Sequence, residues 1–353
     1  MNTFRAFCDR KNIIVSPRRY GIDALGAMAQ GLFASLLIGT IIATLGTQLG
    51  LQMFVDIGNF AKAATGPAMA ISIGAALQAP GLVLFSLAAV GGAANELGGA
   101  GGPLAVLVVA IIASECGKAV SKETPVDIIV TPFVTICVGA GLSMLFAPAI
   151  GSAASAVGGA IMWATELQPF FMGMLVSVLV GIALTLPISS AAICAALGLT
   201  GLAGGAAVAG CCANMVGFAV LSFRENRWGG LLAQGLGTSM LQIGNIVKNP
   251  RIWIPPIIAS AVTGPLATCV FRFQMNGAPV ASGMGTCGLV GQIGVYTGWL
   301  SDIEAGTKAA ITAGDWTAML LICFILPGLI SWAVGLFLRR AGWIRENDLK
   351  LDI

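Results

Sequence analysis

The sequence of 353 residues contains no histidine. This absence excludes Ser-His-Asp and Cys-His nucleophiles, histidine metal sites, histidine proton relays and any phosphohistidine step on this chain. Nine cysteines occur without a Cys-x-x-Cys pair. We interpret them as small buried apolar residues and expect no disulfide framework. We therefore predict no catalytic residue, no metal site and no other cofactor.

Charge is also scarce, because Asp, Glu, Lys and Arg make up 9% of the residues, against about 25% in an ordinary soluble domain. Hydrophobic residues make up 57%. The net charge of +3 is scattered and provides no phosphate-tracking surface for a nucleic acid. The composition excludes a soluble enzyme, a disordered protein and a nucleic-acid binder. It predicts an all-α, polytopic integral membrane protein in a lipid bilayer.

A spanning helix needs about 20 mostly apolar residues, and the apolar pattern predicts about eight to ten crossings. We expect one transmembrane domain over 21–338, between a basic tail at 1–20 and a second tail at 339–353. The clearest spans are expected at about 21–46, 126–149, 168–186, 252–271 and 316–338. Basic loops stay in the cytoplasm, so we expect both termini there and the acidic segment 301–315 outside.

Local signals predict where several helices begin or break. Ser16 followed by proline is typical of a helix start, and so is Thr124 as an N-cap with Asp127 three residues later. The apolar run 66–93 is broken at a proline after Ala79. Small and polar residues over 150–165 favour a loop or a re-entrant segment there.

Two glycine-rich breaks interrupt the apolar pattern, at 95–103 and at 275–294. Paired interruptions of hydrophobic segments are typical of transporters that bind their solute near the bilayer midplane. We expect re-entrant, non-helical backbone in these segments, and no internal repeat is visible by residue identity.

The first break offers Asn95 and Glu96 as candidate solute ligands. A carboxylate at membrane depth marks function by default, and Glu96 would accept hydrogen bonds from sugar hydroxyls or bind a coupling cation. The alternative is a loop carboxylate in water. Glu166 faces the translocation path or merely favours the start of the next helix. For Glu115 an ion pair with the nearby Lys118 is the favoured interpretation.

The second break offers four polar candidates, Asn276, Ser282, Thr286 and Gln292, together with the backbone of Gly283 and Gly285. Neutral amides hydrogen-bond sugar hydroxyls in both directions, and glycines expose backbone groups to a ligand. The alternative is a tight seam between helices. Non-helical backbone at membrane depth is tolerated only where protein buries it or where it lines a cavity.

Four stretches of the sequence carry a resemblance to a known family: KETPVDIIVTPFVTI (122–136), LTLPISSAAI (184–193), KNPRIWIPPIIASAVTGPLAT (248–268) and NGAPVASGMGTCGLVGQIG (276–294). Over roughly residues 20–340 the chain resembles the bacterial EIIC-like membrane family that includes the perfringolysin regulator PfoR. Members are labelled sugar-transporter IIC subunits of the phosphotransferase system. The resemblance implies a homodimer in the bacterial inner membrane that takes up a sugar or similar polar solute.

Carriers of this system work with a IIA domain phosphorylated on histidine and a IIB domain usually phosphorylated on cysteine. The cytoplasmic segments of this chain are too short to fold either domain. The resemblance therefore implies separate IIA and IIB partner proteins, or an EIIC-like protein that works without phosphorylation. Two functions stay open at this point: a carrier for a small polar solute, and a ligand-responsive sensor or regulator of the PfoR type.

Overall fold

The computed structural model describes residues 2–351 and shows an all-α protein. Within that range the extended pairing amounts to one isolated antiparallel bridge between Gly201 and Met275. The fold class predicted from the composition is confirmed. Met1, Asp352 and Ile353, which belong to the two predicted tails, lie outside the described residues.

Two compact units divide the chain, Met1–Ala154 (unit 1) and Ser155–Ile353 (unit 2). Unit 1 contains α1 (Asn2–Arg10), α2 (Ala24–Leu32), α3 (Ile38–Leu49), α4 (Gln52–Ala63), α5 (Thr65–Ala76), α6 (Gly81–Gly98) and α7 (Gly102–Val120), and α8 (Asp127–Thr165) begins in unit 1 and ends in unit 2. Unit 2 continues with α9 (Pro169–Thr185), α10 (Ser190–Ala196), α11 (Gly201–Leu221), α12 (Phe223–Leu232), α13 (Ile243–Lys248), α14 (Ile254–Pro265), α15 (Val290–Glu304), α16 (Ala313–Leu320) and α17 (Leu326–Arg340). The predicted division into one transmembrane domain with two tails stays a prediction.

Helices that are long and apolar enough to cross a membrane number six within residues 2–351, judged by length and composition. They are Arg19–Leu49, Gly81–Val120, Asp127–Thr165, Gly201–Leu221, Pro250–Val270 and Ala313–Arg340. The shorter α9 is apolar as well. These helices cover every one of the clearest spans that the sequence predicts.

The stretch Gly81–Val120 is a hairpin rather than one straight helix. Gly99 adopts φ 49° and ψ −119°, which ends α6. A methyl group on Gly117, near the end of α7, would lie 2.9 Å from the side chain of Val83, near the start of α6. The two helices are therefore antiparallel neighbours, each about 27 Å long. When α6 and α7 are counted separately and α9 is added, the described residues contain eight apolar helices. Eight is the lower end of the predicted eight to ten crossings.

The first glycine-rich break is shorter than predicted. Asn95 and Glu96 belong to the last turn of α6, and the break is confined to the 3₁₀ turn Gly99–Gly101. The prediction that residues 95–103 are non-helical is wrong at both ends. The buried residues Val90, Ala94 and Gly98 give the end of α6 a packed face, and Gly102 and Pro103 begin α7, where proline suits the first turn of a helix. The predicted break after Ala79 is confirmed, since α5 ends at Ala76 and α6 begins at Gly81.

The two predicted helix starts have different outcomes. The hydroxyl of Ser16 accepts a hydrogen bond from the backbone N–H three residues later at 3.1 Å, as an N-cap does. Thr124 makes no such bond, since its hydroxyl is buried without a partner among the described residues. Instead, the carboxylate of Asp127 accepts the N–H of Lys122 and the hydroxyl of Thr131, both at 2.6 Å. The prediction for Thr124 is wrong, because Asp127 fixes the entry into α8.

The segment 150–165 is helical and forms the C-terminal part of α8, so the predicted loop is wrong. Half of its residues are Ala or Gly, and none is charged. In a sequence, a run of small residues is often taken to indicate a loop. Alanine nevertheless has the highest helix propensity, and in an apolar environment a helix satisfies the hydrogen bonds of its backbone.

The core of unit 2 is built on small residues in α9, α11 and α14. A methyl group on Gly210 of α11 would collide with the backbone carbonyl of Ser177 in α9. The hydroxyl of Ser177 donates to the carbonyl of Ser260 in α14 at 2.8 Å. Small residues allow this close approach of backbones, which drives helix association in lipid.

Candidate functional site

The second glycine-rich break is a buried irregular segment of unit 2. Residues 275–289 form two short 3₁₀ turns, Pro279–Gly283 and Cys287–Leu289, before α15 begins. Ser282, Gly283, Gly285 and Thr286 lie in the fully enclosed part of this segment. The prediction of non-helical backbone over 275–294 is therefore confirmed for 275–289 and wrong for 290–294, which belong to α15. The path of the segment relative to a membrane stays a prediction.

Hydrogen bonds and close contacts fix the enclosed part against α10 and α11. The Ser282 hydroxyl donates to the carbonyl of Leu199 at 2.6 Å, and the Ser190 hydroxyl donates to the carbonyl of Gly283 at 2.7 Å. Gly285 has φ 54°, and a methyl group there would lie 2.6 Å from the Cβ atom of Cys211. These residues make the tight helix-packing seam that the sequence left as an alternative.

Thr286 and Gln292 also contact α11. The Thr286 hydroxyl lies 3.5 Å from the sulfur of Met215, and the Gln292 amide nitrogen lies 3.2 Å from the sulfur of Cys212. The Gln292 side-chain oxygen is buried without a partner within the described range. Gln292 thus keeps one hydrogen-bond acceptor unused.

Asn276 stands at the entrance of the segment and joins three elements. Its side-chain oxygen accepts the N–H of Gly201, the first residue of α11, at 3.1 Å. Its amide nitrogen donates to both carboxylate oxygens of Asp302 in α15, at 2.9 and 3.1 Å. Asn276 therefore orients the Asp302 carboxylate at the start of α11.

A cavity of about 610 Å³ opens beside this pair, and we call it the Asp302 cavity. Its volume lies in the range of small-molecule sites. The wall consists of Val270, Phe271, Arg272, Phe273, Gln274, Asn276, Trp299, Asp302, Thr307, Lys308, Thr312, Gly314, Asp315 and Ala318. Aromatic rings, amides and charges of both signs share this wall.

The charges of the Asp302 cavity form a defined arrangement. Lys308 pairs with Asp315 at 2.8 Å, and its ammonium nitrogen lies 5.9 Å from the ring centroid of the buried Trp299. Asp315 also closes a capping box with Thr312 at the start of α16. Arg272 is exposed, has φ 46°, and has no carboxylate within ion-pair distance among the described residues. One cation therefore remains free to donate hydrogen bonds to a ligand.

The remaining predicted residues lie elsewhere. Asn95 is half-buried in unit 1, where a methyl group on Gly102 would lie 2.6 Å from its side-chain oxygen, and Glu96 is exposed. Glu166 is exposed just after α8 in unit 2. Glu115 forms the expected ion pair with Lys118 at 2.7 Å. The roles of Asn95, Glu96 and Glu166 as solute ligands stay predictions.

Sequence reasoning did not select most of the cavity wall. The sequence pattern predicts an external acidic loop for Asp302, Lys308 and Asp315 and does not indicate that they face a cavity. Asp302 lies in α15, which follows the second break, and Lys308 and Asp315 come after that helix in the chain. Arg272 and Gln274 precede the break directly. Polar residues on both sides of the glycine-rich segment are the sequence signal that could have identified them. Within residues 2–351 no three His, Cys, Asp or Glu side chains are grouped so that they could hold a metal ion.

Comparison with known proteins gives one result. No curated protein and no solved structure matches this chain. A family model described as "Phosphotransferase system, EIIC" matches residues 22–351. The match covers nearly the whole chain, so the protein belongs to the phosphotransferase-system EIIC family of membrane sugar-transport subunits.

Proposed function

We propose that the protein is a carrier that binds a small, sugar-like polar solute in the Asp302 cavity and moves it across the bacterial inner membrane. One observation carries the proposal: in a member of a sugar-transport family, unit 2 holds a cavity of about 610 Å³ whose wall combines aromatic rings, amides and charges. Such a wall suits a ligand that is polar at its edge and apolar on its faces.

The charge balance of the wall favours a neutral solute. Arg272 and Lys308 are offset by Asp302 and Asp315, so the wall has no net charge. Carboxylates accept hydrogen bonds from hydroxyl groups, guanidinium donates them, and amides do both. A sugar hydroxyl both donates and accepts, so it matches this mixture better than an organic anion does.

Asn276 links solute binding to the glycine-rich segment. Its bonds to Gly201 and Asp302 join the start of that segment to the carboxylate that would bind the solute. Alternating access needs a bistable element beside the site, and irregular backbone in transporters supplies such elements. In this proposal Ser282, Gly283, Gly285, Thr286 and Gln292 hold the segment in one of its two positions.

The partners follow from the family and from the missing histidine. Phosphate transfer would come from separate IIA and IIB proteins, because no residue of this chain can carry a phosphohistidine. We include in the proposal a homodimer with both termini in the cytoplasm, as the resemblance and the basic tails suggest. Labelling of single-cysteine variants at the two tails with a membrane-impermeant thiol reagent, in intact and in permeabilised cells, tests the orientation.

The central experiment measures binding and uptake with Asp302→Asn. We expect the affinity for the solute to fall about tenfold or more, because a hydrogen bond to a charged acceptor is lost. The solute is first identified by the rise that it causes in the unfolding temperature of the purified protein. Neutral sugars are compared with nucleosides and organic acids in this screen. Uptake is then measured in vesicles with the active sugar.

Glu304→Gln is the matched control, since Glu304 is exposed on the same helix and lies outside the cavity wall. Glu96→Gln tests the predicted site in unit 1 in the same assay. Equal affinity and uptake in Asp302→Asn and in the wild type would refute the Asp302 cavity as the solute site. A loss of affinity and uptake in Glu96→Gln but not in Asp302→Asn would indicate that the solute site lies in unit 1.

A second candidate function is a membrane sensor, and the C-terminal segment favours it. Amide side chains hold this segment: Asn226 and Gln242 donate to the carbonyl of Leu349 at 2.7 and 3.0 Å, and Asn245 donates to the carbonyl of Lys350 at 2.8 Å. Leu349 is fully buried. A tail bound in this way can report a change inside unit 2 to a cytoplasmic partner.

Deletion of 341–353 separates the two functions. A sensor would lose its regulatory output and keep ligand binding, whereas a carrier of which the tail is only a structural part would lose stability and uptake together. The measurements are ligand binding by thermal shift, uptake in vesicles, and transcription of the genes beside the coding sequence in cells that express either form.

A further inference from the structure

Unit 1 contains a second cavity, of about 390 Å³, that the proposed function does not use. Four cations line it, Arg10, Lys11, Lys118 and Lys122, together with one carboxylate, Glu123. We call it the Lys118 cavity. Its wall differs from that of the Asp302 cavity, where cations and carboxylates are equal in number.

The inner cation of the Lys118 cavity is held in place by the protein. Lys118 is 2% exposed. Its ammonium group pairs with Glu115 at 2.7 Å and donates to the backbone carbonyls of Asn12 and Leu77 at 2.7 and 3.1 Å. Three acceptors match its three donors. Lys118 therefore contributes fixed charge to the floor rather than a free donor.

Among the outer cations, Arg10 and Lys122 are exposed, whereas the Lys11 ammonium group already donates to Glu123 and to the carbonyl of Ser121. Arg10 and Lys11 share Glu123, with the Arg10 pair at 2.9 Å. Lys11 hydrogen-bonds the Glu123 carboxyl and holds its pKa below the usual value, so this group is ionised at neutral pH. Lys122 has φ 60° and is exposed, and within the described residues its ammonium group has no ion-pair partner. Its backbone is fixed by the 2.6 Å bond to Asp127.

A helix start adds to this positive field. Pro80, the residue before α6, lines the cavity, and none of the described side chains caps this end of the 18-residue helix. The first backbone N–H groups of a helix lack partners within the helix and carry partial positive charge. Arg19 and the four lining cations together outnumber the nearby carboxylates Glu115, Glu123 and Asp127 by five to three, so positive charge remains, and the uncapped helix end adds to it.

We propose that the Lys118 cavity binds a phosphoryl anion. Tetrahedral phosphate oxygens match ammonium and guanidinium donors around a concave, positive site. Two sources share this chemistry: the headgroup of an anionic phospholipid, and a free phosphate such as a sugar phosphate. The exposed apolar residues Ile14 and Val15 beside the lining residues place a lipid within reach if this end of unit 1 lies at the bilayer surface.

The test compares Lys122→Gln with Arg18→Gln in the full-length protein. Lys122 is exposed and lines the cavity, while Arg18 is exposed nearby in the chain and lies outside the wall. Calorimetry in neutral detergent measures binding of inorganic phosphate and of glucose 6-phosphate, with glucose as the uncharged comparison. Native mass spectrometry from nanodiscs of phosphatidylcholine with or without phosphatidylglycerol measures retained lipid.

We expect Lys122→Gln to weaken phosphoryl binding about fivefold and Arg18→Gln to leave it unchanged. Binding of phosphate or sugar phosphate identifies a free anion as the ligand, and retention of phosphatidylglycerol alone identifies a lipid headgroup. Absence of both kinds of binding in the wild type overturns the proposal. An equal loss in the two variants also overturns it, since that result describes a general charge effect. Because Lys122 is exposed, its variant is expected to fold, and its unfolding temperature without ligand verifies this.

Discussion

The two glycine-rich breaks have similar compositions and form different structures. The first is a three-residue turn between α6 and α7, and Gly99 has open space where a side chain would project. The second keeps residues 275–289 irregular and buries 281–287, with Gly285 against Cys211 and Ser282 bonded to Leu199. Glycine content therefore marks a break in a helix, and the surrounding helices decide whether it becomes a turn or a supported segment beside a cavity.

The largest expected effect tests this difference directly. Gly285→Ala adds both backbone strain at φ 54° and a collision with α11, so we expect it to lower the free energy of unfolding by about 4 kcal/mol. Gly99→Ala has the strain without the collision, so we expect about 2 kcal/mol. Unfolding of both variants in detergent measures the difference, and equal losses would show that the second break is no better supported than the first.

The next effect compares two asparagines. Asn214 is fully buried in α11 and accepts the Trp253 indole N–H at 2.9 Å and the Thr185 hydroxyl at 3.2 Å. Asn214→Ala leaves the Trp253 indole N–H unpaired and removes one bond of the Thr185 hydroxyl, which keeps its 2.7 Å contact with the Ser239 hydroxyl, and we expect a loss of about 2 to 3 kcal/mol. The side chain of Asn95, by contrast, makes no hydrogen bond to another described residue. Asn95→Ala should therefore change thermal stability little, and a loss as large as that of Asn214→Ala would contradict the comparison.

A smaller effect concerns the wall of the Asp302 cavity. Thr312→Ala removes the capping box that Thr312 forms with Asp315, and we expect a loss of about 1 kcal/mol. Because Asp315 also pairs with Lys308, Thr312→Ala should lower the affinity for the solute as well. Thr317→Ala is the control, since Thr317 lies in α16 but outside the cavity wall, and it should lower the affinity less. Thermal unfolding and solute binding, measured on the same samples, separate the two consequences.

The smallest effect belongs to the Lys118 cavity and depends on pH. Lys11 lowers the pKa of Glu123, so the stabilisation from this pair is present above the ordinary glutamate pKa, about 4.3. It is lost as the pH falls through the lowered pKa of the folded state. Thermal unfolding between neutral and acidic pH should show a step that Glu123→Gln removes. An unchanged profile in that variant would contradict the assignment.

The sequence by itself determined the fold class, the positions of the clearest spans and the location of the second break. These features follow from composition and local pattern: a spanning helix must be apolar over its length, and glycine with proline interrupts it. The missing histidine alone excluded a phosphohistidine on this chain. None of these inferences requires knowledge of which helices are neighbours.

Tertiary structure decided what the polar residues do. Asn276 lines the Asp302 cavity, while Ser282 and Gly285 pack against neighbouring helices, although all three were equivalent candidates in the sequence. Segment 150–165 became helix because small residues without charge are as compatible with a helix as with a loop. Asp302 joins Asn276 from 26 residues away. Such pairings depend on how helices pack, and side-chain packing between distant segments leaves no periodic pattern in the sequence.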